Sequence, residues 1–100
     1  MSHIMSAATV AVLRQKDAEK RQVIVDASDF AVGFMTQVGE NESVAEDKLV
    51  TLTSSITHCR KPDAAYAVDG LRSEGVLVKD WSAGTLQLDA EKAQAYLAQR

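Results

Sequence analysis

The stretch LRSEGVLV at residues 71–78, with GTLQL at residues 84–88 after it, decides the fold of this chain. Gly75 separates a helical pattern from an apolar run, and glycine readily takes the left-handed conformation that ends a helix. The apolar run and GTLQL are typical of two strands, because the second alternates with period two and turn-forming residues lie between them. The sequence therefore predicts a helix followed directly by a β-hairpin. The side chains expected to fasten the hairpin to the core are Val76, Val78, Leu86 and Leu88.

The helix before the hairpin is predicted to begin at the one proline of the chain. Pro62 suits the first turn of a helix, where its missing N–H would have no partner in any case. Apolar residues then recur at helical spacing up to residue 74. The side chains predicted to face inward are Ala64, Ala65, Val68 and Leu71. A last helix is predicted after the hairpin, with Asp89 as its N-cap. Its inward face would carry Ala90, Ala93, Tyr96 and Leu97.

Two more helices are predicted upstream. The first would run over residues 17–38, between Asp17 as N-cap and Gly39 as the residue that ends it. Its apolar residues recur at offsets of three and four, which is the pattern of a core-facing helix. The stripe consists of Val23, Ala27, Phe30, Ala31, Phe34, Met35 and Val38. Ser43 followed by Glu46 has the pattern of a capping box, which predicts a second helix from Ser43, although β-branched residues weaken it. Its inward side would carry Val44, Leu49, Leu52, Ile56 and Cys59.

The segment at residues 6–15 permits two interpretations. It suits a short helix, but residues 9–13 could equally form a strand that pairs with residues 22–25. The intervening turn lacks the glycine or asparagine that tight hairpins favour. The order of residues does not decide between these structures. Residues 1–5 show no periodicity and carry a second methionine, so we interpret them as a disordered tail or tag remnant outside a single domain at residues 6–100.

Composition excludes several classes of protein. The chain has 100 residues, 46% of them hydrophobic and 25% charged, which is typical of one folded domain rather than a disordered chain. A net charge of −3 argues against coating nucleic acid by bulk electrostatics. The single cysteine, Cys59, excludes an internal disulfide framework and favours the reducing cytoplasm. No apolar run reaches the roughly 18 residues of a membrane helix, so we expect no membrane partner.

The predicted order of elements resembles the winged helix-turn-helix superfamily. In that family a recognition helix ends in an L-x-x-x-G-apolar-apolar run, a hairpin wing follows, and a leucine-bearing strand leads into another helix. The resemblance covers roughly residues 43–100. It implies an α+β fold, a small winged-helix domain that is mostly helical with a C-terminal two-stranded hairpin as its wing.

The resemblance also implies a function. We expect a small non-enzymatic regulator that binds DNA and acts in transcription. The residues expected to contact nucleic acid are Arg60, Lys61, Tyr66, Arg72 and Lys79. The helix at residues 62–74 carries three carboxylates against the single cation Arg72, and carboxylates beside phosphates lower affinity.

That acidic helix supports an alternative, an interaction module that modulates a partner protein without binding DNA. Trp81 in the predicted wing would be its anchor, because tryptophan is enriched among residues that dominate binding energy. Residues 1–22 carry four cations and two carboxylates, whereas residues 23–58 carry one cation and six carboxylates, an asymmetry that could orient a partner. The stripe that includes Phe34 exceeds what one short helix needs, which predicts a homodimer through Phe34.

Catalytic residues, metal ligands and cofactors are not expected. His58 and Cys59 are adjacent, so on a helix their side chains diverge and cannot form one metal site or a nucleophile–base pair. The five glycines are scattered and form no phosphate-binding loop.

Overall fold

A computed structural model describes the backbone of residues 7–99 and the side chains of residues 17–99. Within this part the protein is a small α+β domain of four helices and a three-stranded antiparallel sheet. The elements are α1 (Ala7–Val38), β1 (Ser43–Ala45), α2 (Glu46–Thr57), α3 (Lys61–Ser73), β2 (Leu77–Asp80), β3 (Thr85–Leu88) and α4 (Ala90–Ala98). The tail predicted at residues 1–5 lies outside the described residues.

Helix α1 is longer than the sequence predicts. It runs for 32 residues, so the predicted start at Asp17 is wrong, and so is the alternative hairpin between residues 9 and 25. Residues on both sides of Asp17 are good helix formers, and a residue that suits an N-cap does not by itself interrupt a helix. The predicted end is confirmed, since Gly39 has a φ of 104° and its N–H donates to the Met35 carbonyl at 3.0 Å.

Strand β1 replaces the predicted N-cap of the second helix. Ser43 does not cap α2, which begins at Glu46, but pairs with Gln87 of β3. Val44 and Ala45 continue this antiparallel register against Leu86 and Thr85. Backbone pairing with a strand some 40 residues away outweighs the local capping pattern, because the ladder satisfies backbone groups that a cap would leave to water. The predicted two-stranded hairpin is therefore part of a three-stranded sheet in the order β1-β3-β2.

Helix α3 begins and ends as predicted, to within one residue. Lys61 is its first residue and Pro62 lies in its first turn. At its end the Val76 N–H donates to the Leu71 carbonyl at 2.9 Å, and the Gly75 N–H donates to the Arg72 carbonyl at 3.0 Å. These two bonds, with a φ of 80° at Gly75, form a Schellman motif. The motif reverses the chain so that only three residues separate β2 from the end of α3.

The faces of β2 differ from the prediction. Leu77 is buried, whereas Val78, predicted to face inward, is 55% exposed. Val76 is buried as predicted, but it precedes the strand and is not one of its rungs. Because Val76 lies before the strand, its burial does not set the alternation of β2, and with Leu77 facing the core the next residue, Val78, points to the opposite face. Leu86 and Leu88 of β3 are buried as predicted.

The core lies between α1, α3 and the inner face of the sheet. Its buried members are Ala31, Val32, Met35, Leu49, Val68, Leu71, Val76, Leu77, Leu86, Leu88 and Ala93. Val32 lay outside the predicted stripe, while Ile56 and Leu97, predicted to face inward, are exposed. The predicted cap of α4 is confirmed, because the Asp89 carboxylate accepts from the Lys92 N–H at 3.0 Å.

Among the described residues, no helix combines the length and hydropathy that a membrane span requires.

Candidate partner-binding surface on α3 and the hairpin

Trp81 lies in the turn between β2 and β3, and with 73% of its area exposed it is the most exposed large apolar residue among the side chains that the structure describes. Two cations hold its ring. The Lys79 Nζ lies 4.1 Å from the ring centroid, and the Arg72 guanidinium carbon lies 5.1 Å from it. Both distances are within the range of cation–π attraction. The ring is therefore supported by α3 and β2 while most of it stays open to a partner.

Two carboxylates balance these cations. One oxygen of Glu46 lies 3.4 Å from the Arg72 guanidinium and 3.3 Å from Lys79 Nζ, and Asp69 lies 3.1 Å from Arg72. We call Glu46, Asp69, Arg72, Lys79 and Trp81 the Trp81 cluster. Its four charges sum to zero, so Arg72 and Lys79 are already paired before any ligand arrives. The cations serve to position the ring rather than to present free positive charge.

The turn that carries Trp81 is held by its own side chains. One oxygen of Asp80 accepts hydrogen bonds from the Ser82 hydroxyl at 2.7 Å, the Ser82 N–H at 3.0 Å and the Ala83 N–H at 3.3 Å. The hydroxyl bond of Ser82, followed by the two N–H bonds, lowers the pKa of Asp80. Gly84 closes the turn, with a φ of 67° and an N–H donated to the Asp80 carbonyl at 2.8 Å. The turn is ordered before binding, which reduces the entropy lost when a partner docks.

A groove of about 360 Å³ adjoins the ring, between the end of α3 and β2. Its lining combines polar and apolar side chains: Arg72, Ser73, Gly75, Leu77, Val78, Lys79 and Trp81. β2 is an outer strand of the sheet, so the groove runs beside a strand edge. The exposed ring and this groove form one continuous surface.

The residues predicted to contact nucleic acid lie in the Trp81 cluster, at the start of α3 and in the middle of α3. Arg72 and Lys79 belong to the Trp81 cluster, whereas Arg60 and Lys61 lie exposed where α3 begins. Twelve residues separate Arg60 from Arg72, a distance of about 18 Å along a helix. Tyr66 is 69% exposed and lines a different groove, between α1 and α3.

Phe34, predicted to contact a second copy, packs partly against the core of its own chain. Its ring stacks on Phe30 with centroids 6.0 Å apart. Association through Phe34 stays a prediction.

His58 and Cys59 have local roles in the structure. His58 ends α2 in the left-handed conformation with a φ of 56°, and the Cys59 sulfur accepts from the Thr57 hydroxyl at 3.2 Å. In the part of the chain with described side chains, no group of three or more metal-ligating side chains comes together.

Glu46 is the member of the Trp81 cluster that sequence reasoning placed in another role. The sequence predicts that it completes a capping box with Ser43, whereas in the structure it pairs with cations 26 and 33 residues further along the chain. No short-range pattern marks such a pairing. Comparison of the chain with protein-family models, curated proteins and solved structures finds no match.

Proposed function

We propose that this protein is a small non-enzymatic regulatory module with a winged-helix arrangement, and that it binds a partner protein through the Trp81 cluster. Three features support the arrangement: the glycine cap that ends α3, the hairpin that follows α3 after three residues, and the leucine-bearing strand β3 that leads into α4. They are the features on which the sequence resemblance depends. A fold of this kind does not by itself specify a ligand.

The single observation that carries the proposal is the exposed, supported ring of Trp81. A partner that covers this indole would bury much of the 73% of its area that is exposed. Tryptophan is prominent among residues that dominate interface energies. The ring is pre-positioned by Arg72 and Lys79, so binding immobilises few side chains. The groove beside it supplies further contact area at the same surface.

The charge pattern favours protein over DNA at this surface. Arg72 and Lys79 are paired with Glu46 and Asp69, so a phosphate would have to compete with two carboxylates. Asp69 projects from the exposed side of α3, where it would repel a phosphate backbone. A protein partner with mixed polar and apolar contacts meets no such penalty.

The test is a binding comparison between the wild-type protein and matched variants. A partner captured by the full chain is purified and its Kd measured by isothermal titration calorimetry. Trp81→Ala should raise the Kd more than about fivefold, which corresponds to about 1 kcal/mol, as loss of an aromatic anchor does. Ile56→Ala, a substitution of an exposed apolar side chain on α2 outside the groove beside Trp81, is the control and should change the Kd by less than about twofold. A partner whose affinity is the same for the wild type and Trp81→Ala would contradict the proposal.

DNA binding is the second candidate, and the positions of Arg60 and Lys61 favour it. Both side chains are exposed at the beginning of α3, and neither belongs to the Trp81 cluster. The start of a helix also carries partial positive charge, which favours an anion such as a phosphate. These groups would make positioning contacts to a DNA backbone rather than read its bases.

The DNA candidate is tested by measuring duplex binding at two salt concentrations. If DNA is the partner, affinity should fall with salt, and Arg60→Glu with Lys61→Glu should weaken binding by orders of magnitude and flatten the salt dependence. Trp81→Ala should then matter little. Salt-independent affinity, or no binding of duplex, would reject DNA and leave the protein partner.

A further inference from the structure

A second groove lies between α1 and α3, on the far side of Tyr66 from the Trp81 cluster. Its volume is about 540 Å³, and it is lined by Lys20, Arg21, Ile24, Val25, Pro62, Asp63 and Tyr66. It shares no lining residue with the groove beside Trp81. The two grooves occupy opposite ends of α3, so a ligand in one leaves the other accessible.

The floor of this groove is apolar and open. Ile24, Val25, Pro62 and the ring of Tyr66 provide its apolar area, with Val25 38% exposed and Tyr66 69% exposed. Exposed aliphatic and aromatic side chains that line one concavity are typical of a binding site rather than of scattered surface residues. Two helices that flank such a floor leave space for a third helix to lie along them.

The border of the groove is basic, although the chain as a whole carries a net charge of −3. Lys20 and Arg21 lie on its α1 side, and Arg60 and Lys61 directly precede Pro62 on its α3 side. The carboxylate in its lining, Asp63, forms an ion pair with Lys20. The partial positive charge at the start of α3 adds to this field. Since Asp63 pairs with Lys20, the groove combines an apolar floor with Arg21 in its lining and with Arg60 and Lys61 at the start of α3, next to Pro62.

We propose that this groove binds an acidic amphipathic helix of a partner protein. Leucine-type side chains at positions i, i+3 or i+4, and i+7 of that helix fill the floor, and its carboxylates meet Arg21, Arg60 and Lys61. A nucleic acid would use the cations but gain nothing from Ile24 and Val25. The amino-terminal part of α1 from a second copy would add four cations against two carboxylates, which opposes the charge already present.

The experiment uses the full chain and two designed helical peptides. Both carry leucine at the three anchor positions, and the remaining exposed positions are glutamate in one peptide and lysine in the other. The glutamate peptide should bind with a Kd in the range of about 1–100 μM by fluorescence anisotropy, and at least about tenfold more tightly than the lysine peptide. Amide chemical-shift changes in the labelled protein should centre on Lys20–Val25 of α1 and Asp63–Tyr66 of α3.

Variants on the floor separate the groove from the rest of the surface. Val25→Asp and Tyr66→Ala should each weaken binding of the glutamate peptide at least about tenfold, and both sites are exposed enough to accept the change. Val78→Asp is the matched control, an exposed valine on the hairpin, and should bind as the wild type does. Circular dichroism checks that each variant is folded, and the shift map of the wild-type protein tests the site without any variant.

Three results would overturn the proposal. They are equal affinity for the two peptides, shift changes centred outside the groove, and no saturable binding up to about 1 mM peptide. A fourth result would also overturn it: a dimer, detected by sedimentation of the protein alone, that Val25→Asp dissociates, because the groove would then hold a second copy. Because Trp81 lies outside the groove, Trp81→Ala should leave peptide binding unchanged whether or not the function proposed for the Trp81 cluster is correct.

Discussion

The two ends of α3 carry the same kinds of side chains and differ in what surrounds them. At the carboxyl end, Arg72 pairs with Glu46 and Asp69 and lies over Trp81. At the amino end, Arg60 and Lys61 are exposed, and the nearby carboxylate Asp63 pairs with Lys20. In the sequence, each end of α3 carries one or two cations beside a helix boundary. Counting charges along a helix therefore does not tell which cations a ligand can reach, because partners from other elements decide it.

The difference follows from the elements packed against each end. The start of α2 brings Glu46 to the carboxyl end, and β2 brings Lys79 there. At the amino end α1 contributes cations and apolar side chains. One end is thus neutral with an exposed ring, and the other is basic with an apolar floor.

Truncating Leu71, the buried core residue at the carboxyl end of α3, should have the largest effect on stability. Leu71→Ala should lower the free energy of unfolding by about 2–5 kcal/mol, because Leu71 is almost fully buried and the change leaves a cavity. Chemical denaturation measures this loss. Leu97→Ala, the same change at an exposed site of α4, is the control and should cost less than about 1 kcal/mol. A Leu71→Ala protein as stable as the wild type would mean that the core does not depend on this end of α3.

The reversal after α3 should be the next most sensitive feature. Gly75→Ala should destabilise the protein by about 1–2 kcal/mol, because alanine at a φ of 80° is strained. The added methyl group would also meet the side chain of Lys92, which is flexible and can move. Gly33→Ala is the matched control inside α1, where the space is open, and it should be neutral or stabilising by up to about 1 kcal/mol. Equal effects at both glycines would contradict the left-handed cap.

Removing the charge of Glu46 should make the carboxyl end resemble the amino end. Glu46→Gln should lower stability by about 1 kcal/mol, because the Glu46 side chain is only 23% exposed and a neutral amide oxygen accepts a weaker hydrogen bond from Arg72 than a carboxylate does. Arg72 and Lys79 would then lose a shared counter-charge, so the variant should elute from a heparin column at higher salt than the wild type. Glu42→Gln makes the same charge change in the loop before β1 and should shift elution less. Identical elution of the two variants would show that Glu46 does not mask these cations.

The smallest expected effect is a pH dependence of the hairpin turn. Hydrogen bonds from Ser82 and Ala83 hold the pKa of Asp80 below its ordinary value of 3.8. The stabilisation is therefore fully present above pH 3.8 and is lost as the pH falls through the lower pKa of the folded state. An NMR titration should show the Ser82 and Ala83 amide resonances moving in that acidic range. Asp80→Asn keeps the acceptor oxygen without a titrating group and should abolish the movement. Persistence of the shift in that variant would assign it to another group.

Sequence reasoning found the parts of the site that lie close together in the chain. The sequence predicts Trp81 in the wing and Lys79 beside it, and the structure places Trp81 in the turn between β2 and β3 and Lys79 in β2. Their contact with Arg72 and Glu46 was not predictable from spacing, since the chain must fold before α2, α3 and β2 meet. The groove at Tyr66 was not predictable for the same reason, because side chains of both α1 and α3 form its apolar floor.

Local sequence signals were enough to place the end of α1, both ends of α3 and the start of α4, because such signals operate within about one helical turn. Gly39, Gly75 and the Asp89 cap act through hydrogen bonds to residues three to five positions away. Only the tertiary structure decided that Ser43 joins a strand, that Leu77 rather than Val78 faces the core, and that Glu46 neutralises two cations. Each depends on a partner more than ten residues away, and the free energy of such contacts appears only when the elements have packed.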